Sequence, residues 1–231
     1  MVFRDRQHAG QQLASRLARF ANRDDVVVLG VPRGGVVVAF EVAAILNLPM
    51  DVFVLRKLGV PEHGELAFGA IGSGGVRVLN ASVVDHFQIS ELEIAAVTRV
   101  ETEELHRRER LYRGDRPELD VRGRTVILVD DGIATGSSLL AAVHAVRKLK
   151  PAAIMVAAPV APRATRNRFA REVDEVICLD TPEPFYGVGQ FYADFCQVSD
   201  RDVVDLLRRA SRRRIKEEPE SPQETIRVTL G

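Results

Sequence analysis

The chain has 231 residues, with 32 basic and 32 acidic side chains and an isoelectric point near 7.0. This balance argues against a protein that coats nucleic acid, because such proteins carry a basic excess. No apolar run approaches the ~18 residues of a membrane span, and the N-terminus lacks the apolar core of a secretory signal. Two cysteines are too few for a disulfide framework. We therefore expect a cytoplasmic protein that has no membrane segment.

The first quarter of the chain predicts two helices and two strands. Residues 5–21 place apolar side chains at helical spacing. The β-branched run VVVLG at 26–30 predicts a buried strand. The segment GGVVVAFEVAAILN after it predicts a helix, although its valines also suit a strand. Residues 51–59, DVFVLRKLG, predict the second strand.

Residues 60–89 allow two interpretations. They contain many glycines, which favours a flexible loop, and also two weak strand-like pieces, ELAFGAI and VRVLN, which favour an extra hairpin. The sequence SELE follows, with Ser90 and Glu93 at the spacing of a capping box. It predicts the start of a long charged helix that reaches about Tyr112.

The second half alternates strands with helices. RGRTVILVDD, AAIMVAAPV and VDEVICLD predict strands, and the helices are predicted from Ser137 to Leu149, in RATRNRFARE and in DRDVVDLLRRASRRR. This alternation predicts an α/β fold with a mostly parallel sheet flanked by helices. We assign residues 1–214 to one domain and residues 215–231 to a polar, mobile tail.

Two adjacent carboxylates, Asp130 and Asp131, end the buried strand in the stretch VILVDDGIATGSS at 126–138. Ligands of parallel sheets bind beyond the carboxyl ends of the strands. Adjacent carboxylates can accept hydrogen bonds from the vicinal hydroxyls of a sugar, or lie near a Mg²⁺ ion that a ligand carries. The acids therefore suggest a site for a diol, a metal-bound ligand, or both.

The loop that follows the acids suits an anion. ATGSS supplies the hydroxyls of Thr135, Ser137 and Ser138 and the backbone N–H groups of a helix N-terminus. The helix dipole favours negative charge at that point. Acids for a diol, one short turn away from donors for a phosphate, predict a ribose 5-phosphate site.

Three alternatives exist for this stretch, and the sequence argues against two of them. It can be a strand that ends in a solvated Asp-Asp turn with a Thr/Ser helix cap. A phosphorylated receiver domain also gathers acids and Mg²⁺ at strand ends, but its acid pair follows the first strand. A P-loop nucleotidase needs a lysine that DGIATGSS lacks.

The stretch VILVDDGIATGSS resembles the signature with which type I phosphoribosyltransferases bind phosphoribosyl pyrophosphate (PRPP). Two further segments are similar to the same family: GVPRGG at 30–35 to its pyrophosphate loop, and RKLGVPEHG at 56–64 to the start of its flexible loop. TPEPFYGVGQFYADFCQVSD resembles a bacterial subgroup of general phosphoribosyltransferases. The resemblance implies the type I fold, with a small hood and a flexible loop.

The resemblance also implies roles for individual residues. Asp130 and Asp131 would hold the ribose hydroxyls, directly or through Mg²⁺, and the catalytic set would be Asp130, Asp131, Arg33 and Lys57. The implied PRPP-binding residues are Arg33, Gly34, Gly35, Arg56, Lys57, Asp130, Asp131, Ala134, Thr135, Gly136, Ser137 and Ser138. It further implies a cis peptide between Pro32 and Arg33, and a homodimer.

The expected function is Mg²⁺-dependent transfer of ribose 5-phosphate from PRPP to a base or amine, with release of pyrophosphate. The alternative is a regulatory protein that binds PRPP without turnover. Acceptor specificity in this family lies in variable hood segments, so the sequence names no acceptor. The hood carries four aromatic residues, which form its core or stack on a base: Tyr186, Phe191, Tyr192 and Phe195.

Overall fold

A computed structural model of the protein describes residues 2–114, 116–117 and 119–217, with the backbone alone for 64–65 and 214–217. The strands of this part are β1 (Val26–Gly30), β2 (Met50–Val52), β3 (Leu55–Val60), β4 (His63–Gly72), β5 (Val76–Leu79), β6 (Thr125–Val129), β7 (Ala153–Val160) and β8 (Glu175–Asp180). Its α-helices are α1 (Arg6–Arg16), α2 (Gly34–Leu46), α3 (Ala81–His86), α4 (Glu91–Arg113), α5 (Ser137–Lys148), α6 (Arg163–Phe169) and α7 (Asp200–Glu217). Short 3₁₀ turns lie at Ala18–Phe20 and Val188–Phe191.

The main sheet is parallel and is covered on both faces. Its strand order is β2-β1-β6-β7-β8, and all neighbouring pairs run parallel. Alternate residues of β6 enter different cores: Ile127 and Val129 pack with α1, α2, α4 and α7, while Val126 and Leu128 pack with α5 and α6. A strand buried on both faces must be largely apolar, which explains the run VILV that follows Thr125 in β6. The predicted α/β architecture is confirmed.

The prediction of a single strand over residues 51–59 is wrong. The chain leaves the main sheet after Val52, and β3 joins a separate antiparallel sheet of order β3-β4-β5. At the crossing point the backbone of Val54 exchanges hydrogen bonds with Ser73, which is fully buried. The apolar run continues through the crossing because both sheets bury it, so periodicity alone could not show the change of partner.

Residues 60–89 contain a hairpin and a short helix. Strands β4 and β5 pair antiparallel, and the turn between them has Gly74 and Gly75 at φ +79° and +69°, values that glycine adopts without strain. The helix α3 follows. The hairpin interpretation of ELAFGAI and VRVLN is therefore correct, and the expected loop is a sheet in this structure. The predicted capping box of Ser90 and Glu93 is also confirmed at the start of α4.

The N-terminal residues contact the hood, which is the segment at 181–199 that carries the four aromatic residues. The Phe3 N–H donates to the carbonyl of Phe191, and the Ala193 N–H donates to the carbonyl of Phe3. Phe3, Phe191 and Tyr192 are buried in a third apolar cluster that includes Val160 of β7. The hood is thus fixed to the carboxyl edge of the main sheet by the first residues of the chain.

The last helix, α7, includes residues 215–217, and the rest of the predicted tail, 218–231, lies outside the described residues. Within the described ranges, no helix is both long enough and apolar enough to cross a membrane.

Leu128→Ala tests the two-sided burial of the main sheet. Leu128 is fully buried, so the truncation should lower the free energy of unfolding by ~2–5 kcal/mol, from lost transfer energy and the cavity left behind. Leu92→Ala is the matched control, because Leu92 is 83% exposed on α4 and should change stability by less than ~0.5 kcal/mol. Urea unfolding measures both. Equal losses would contradict the assigned core.

Candidate active site

The acid pair lies where β6 leaves the sheet. The Asp130 N–H still donates to the carbonyl of Ala157 on β7, at 3.2 Å, and the Asp131 N–H donates to Asp130 Oδ1 at 2.9 Å. The Tyr192 hydroxyl donates to the backbone carbonyl of Asp131 at 2.5 Å. Both acids are half-buried, so the alternative of a solvated Asp-Asp turn does not describe this strand end.

Burial and mutual repulsion control the protonation of these acids. Burial, followed by the negative charge of Asp131, raises the pKa of Asp130 well above its ordinary value. Burial also raises the pKa of Asp131, but a hydrogen bond and the positive charge of Arg6 oppose that rise. The pair is therefore protonated more easily than two solvated aspartates would be.

The glycines of the predicted pyrophosphate loop lie directly against the acids. Gly34 and Gly35 begin α2, at the carboxyl end of β1, and the last residues of β1 and β6 are paired. A Cβ atom added to Gly34 would overlap with Asp131 Oδ2, and one added to Gly35 would lie 2.7 Å from the carbonyl oxygen of Val129. This close approach requires glycine at both positions. The implied cis peptide between Pro32 and Arg33 is present.

The loop at 134–138 forms the N-terminus of α5. Gly136 has φ +72°, and a Cβ there would lie 2.5 Å from the ring of Phe169, so glycine is needed for conformation and packing. The Thr135 and Ser137 hydroxyls are 3.3 Å apart and exposed, and the Thr165 hydroxyl donates to the carbonyl of Ala134 at 2.9 Å. Ala134 and Ser138 are exposed as well. The loop therefore presents hydroxyls and the start of a helix to solvent.

The predicted cationic residues are gathered less tightly than the acids. Arg33 Nη1 lies 4.0 Å from Asp200 Oδ1 at the start of α7, and Arg56 Nε donates to Glu101 Oε2 on α4 at 2.7 Å. Lys57 is exposed. A cavity of about 280 Å³ brings part of this group together, and its lining includes Pro32, Arg56, Lys57, Arg108 and Ser138.

Arg108 is a cationic residue of this cavity that sequence reasoning missed. It lies on α4, and its Nε donates to Glu104 at 2.8 Å. In the sequence it is one of many charges on a long polar helix, so no pattern distinguishes it. A second cavity, of about 740 Å³, lies between the small sheet and α5. Its lining includes Ser137 and, again, Lys57. Lys57 is therefore the residue shared by both cavities.

Arg6 is the second residue that sequence reasoning missed. Its Nε donates to Asp131 Oδ2 at 2.7 Å, across 125 positions of the chain. Its guanidinium lies 3.8 Å from the centre of the Phe195 ring, and that ring stacks on Tyr192 at 5.0 Å. The predicted aromatic cluster is thus divided: Phe191 and Tyr192 are buried core, Phe195 supports Arg6, and Tyr186 is 87% exposed.

The site has few candidate metal ligands. Among residues 2–114, 116–117 and 119–217, no group of three or more His, Cys, Asp or Glu side chains is placed to hold a metal ion. The available set is the carboxylate pair Asp130 and Asp131. Such a set suits Mg²⁺, which protein sites bind through one or two carboxylates together with waters and substrate phosphates.

The family model for the phosphoribosyl transferase domain matches residues 5–195. The chain belongs to the phosphoribosyltransferase family. A Mycobacterium tuberculosis protein named "Putative phosphoribosyl transferase Rv0571c" is 49% identical over 211 residues, which cover 91% of this chain and 47% of that protein. The chain thus spans about half the length of the curated relatives it matches. The crystal structure of TT1426 from Thermus thermophilus superposes with a TM-score of 0.79 at 41% identity, covering 90% of this chain and 98% of that one.

Family membership agrees with the order of the three motifs along this chain. The predicted pyrophosphate loop follows β1, the Arg-Lys segment opens β3, and the acid pair with the predicted phosphate loop follows β6. The structure brings the first and third together at one edge of the sheet. Arg56 and Lys57 lie instead on the small sheet. They line one cavity together with Pro32 and Ser138, which belong to the first and third motifs.

Asp130→Asn tests the protonation of the acid pair. Because the pKa of Asp130 is raised in the folded state, ionising it opposes folding. That penalty is absent below the pKa of the unfolded chain, ~3.9, and grows as the pH rises above it. The substitution should therefore raise the melting temperature at pH 7, and the gain should disappear below pH ~3.5, as measured by calorimetry. Asparagine keeps the oxygen that accepts from the Asp131 N–H.

The exposed Asp24, replaced by asparagine, is the control and should change the melting temperature little at either pH. A melting temperature of Asp130→Asn that is unchanged or lowered at pH 7 would contradict the assigned cost of ionising this side chain.

Proposed function

We propose that the protein is a Mg²⁺-dependent phosphoribosyltransferase that takes PRPP as donor, transfers ribose 5-phosphate to a base or amine, and releases pyrophosphate. The observation that carries this proposal is the contact between the acid pair and the glycine loop. Asp131 lies against Gly34, so a group that accepts hydrogen bonds from ribose hydroxyls and a loop that donates to phosphate oxygens share one edge of the sheet.

The ribose and the 5-phosphate of PRPP match the acid pair and the loop that follows it. The carboxylates of Asp130 and Asp131 would accept hydrogen bonds from the vicinal hydroxyls of the ribose. The 5-phosphate would lie at the N-terminus of α5, where the hydroxyl-bearing residues Thr135, Ser137 and Ser138 are exposed. Charge-assisted hydrogen bonds to a phosphate are stronger than neutral ones, which favours this loop for the anionic end.

Pyrophosphate would bind between the glycine loop and the basic cavity. The N–H groups of Gly34 and Gly35 and the side chains of Arg33, Arg56 and Lys57 are the proposed donors. Arg33 and Arg56 have carboxylate partners in this structure, Asp200 and Glu101. The pair of Arg33 with Asp200 is exposed, and such a pair is worth only ~0–1 kcal/mol, so a multiply charged pyrophosphate can compete for this guanidinium group.

Magnesium fits the donor set of the site. Asp130 and Asp131 would hold the ion, directly or through its waters, and a bound Mg²⁺ would neutralise charge that develops on the leaving pyrophosphate. The protein's own contribution is to hold two carboxylates side by side at a half-buried strand end.

Catalysis would rest on charge placement. As the C1–O bond of PRPP breaks, the ribose gains oxocarbenium character and pyrophosphate gains negative charge. Arginine and lysine side chains and N–H groups aimed at the pyrophosphate oxygens stabilise that state more than the ground state. The nucleophile would be a ring nitrogen or an amine that attacks C1 from the opposite side.

The acceptor would bind at the hood, where the exposed ring of Tyr186 is able to stack on a base. The family likeness also supports a homodimer and a cytoplasmic location, which we propose on that basis alone.

Binding of PRPP should raise the melting temperature. At a hundredfold excess over Kd the ligand stabilises the folded state by ~2.7 kcal/mol, which for a chain of this size is a rise of ~5–10 °C. Mg²⁺ should enlarge the shift, since pyrophosphate and the acids repel each other without it. The double variant Asp130→Asn and Asp131→Asn, compared with its own unliganded baseline, should lose most of the shift.

AMP is the ligand control, because it has the 5-phosphate but no pyrophosphate and should produce a smaller shift. The proposal fails if millimolar PRPP with Mg²⁺ causes no shift, or if the double variant shifts as far as the parent protein.

Turnover is tested by release of pyrophosphate from PRPP with a panel of purines, pyrimidines and amines. An acceptor should accelerate release over the rate with water alone, and Lys57→Ala should slow that reaction because it removes a cation beside the leaving group. Binding of PRPP without release for any member of the panel would support the non-catalytic regulatory alternative instead.

A further inference from the structure

We propose that Arg6 of helix α1 is a positioning residue, which holds the carboxylate of Asp131 in the orientation that receives the ribose diol. This inference rests on the proposed binding of PRPP. It assigns a part of the site to the first turn of the chain's first helix, 125 positions away from the acid that it contacts.

Three contacts fix the Arg6 guanidinium. Nε donates to Asp131 Oδ2 at 2.7 Å, Nη1 donates to the backbone carbonyl of Cys196 at 2.8 Å, and the guanidinium carbon lies 3.8 Å from the centre of the Phe195 ring. Its side chain is only 11% exposed and that of Asp131 only 15%. The planar guanidinium is therefore held at Nε, at Nη1 and on one face. It has little freedom left, so it can fix the orientation of the Asp131 carboxylate.

Asp131 needs such a partner because of its neighbours. The charge of Asp130 is adjacent and repels it, while the backbone at Gly34 leaves no space on the loop side. Without Arg6 the carboxylate would gain by turning towards water and away from its neighbour. With Arg6 in place, one oxygen is anchored by the guanidinium and the other is left to accept from a ligand.

The backbone around Arg6 is itself held in place. Asp5 caps α1 by accepting from the His8 N–H at 2.7 Å, and Phe3 is hydrogen-bonded into the hood. Tyr192 of the hood donates to the carbonyl of Asp131. The N-terminal segment, the hood and the acid pair therefore form one connected unit, in which Arg6 is the side chain that reaches the carboxylate.

The experiment is titration calorimetry with two probes in the presence of Mg²⁺: PRPP, which has the diol, and inorganic pyrophosphate, which lacks it. Arg6→Gln should weaken PRPP binding by about tenfold or more, the equivalent of ~1.4 kcal/mol, and change pyrophosphate binding less than about threefold. Arg6→Lys should lie between, because lysine restores the charge but cannot donate to Asp131 and Cys196 together in one plane.

Arg19→Gln is the matched control. Arg19 also pairs with a carboxylate, Glu175, and lies 4.7 Å from an aromatic ring, Phe20, but Glu175 begins β8 and so lies at the opposite edge of the sheet. This variant should bind PRPP as the parent does. Calorimetric unfolding of each variant first establishes that it is folded, and Phe195→Leu, which keeps the ion pair and removes the supporting ring, should weaken PRPP binding in the same direction as Arg6→Gln.

The inference about Arg6 is overturned if Arg6→Gln binds PRPP as tightly as the parent or more tightly. It is overturned as well if both probes lose affinity equally, which would indicate general damage to the site. Failure of the parent protein itself to bind PRPP would instead overturn the proposed function.

Discussion

The site depends on the meeting of two neighbouring parallel strands at their carboxyl ends. β1 and β6 are paired up to Gly30 and Val129, so the residues that follow each strand must share the same small space. The chain meets that constraint with glycines on one side and aspartates on the other. A side chain at Gly34 would overlap with Asp131, so the acid by itself already requires glycine at this position. The same closeness explains why a ligand that joins a pyrophosphate to a ribose could contact both loops at once.

This arrangement costs the protein stability. Two carboxylates are adjacent and half-buried, and burial raises the pKa of each. The positive charge of Arg6 offsets part of this cost. Its guanidinium contacts Asp131, Cys196 and the Phe195 ring. The compensation is partial, which is expected of a functional site, because a fully neutralised pair would have little left with which to bind a ligand.

The basic residues show the opposite organisation. Arg33 and Arg56 lie near Asp200 and Glu101, each on a helix that borders the site. Both guanidinium groups therefore have a carboxylate partner in this structure, which the proposed pyrophosphate would have to displace. Lys57 stands between two cavities on a small sheet that packs against α4 and α5 but is separate from the main sheet. The acids therefore lie at the end of a main-sheet strand. Of the basic residues, Arg56 and Lys57 lie on the separate small sheet.

By itself the sequence determined the alternation of strands and helices, the capping box at Ser90 and the motif of residues 126–138, because each of these depends on residues close together in the chain. Local pattern also led to the family, since the three motifs keep their order and spacing. It could not show that the run at 51–59 changes sheets, as an apolar residue has the same signature in either sheet. Nor could it show Arg6, whose partner is 125 positions away. Only the tertiary structure decides such contacts, because Arg6 meets Asp131 only where α1, the hood and the carboxyl end of β6 pack together.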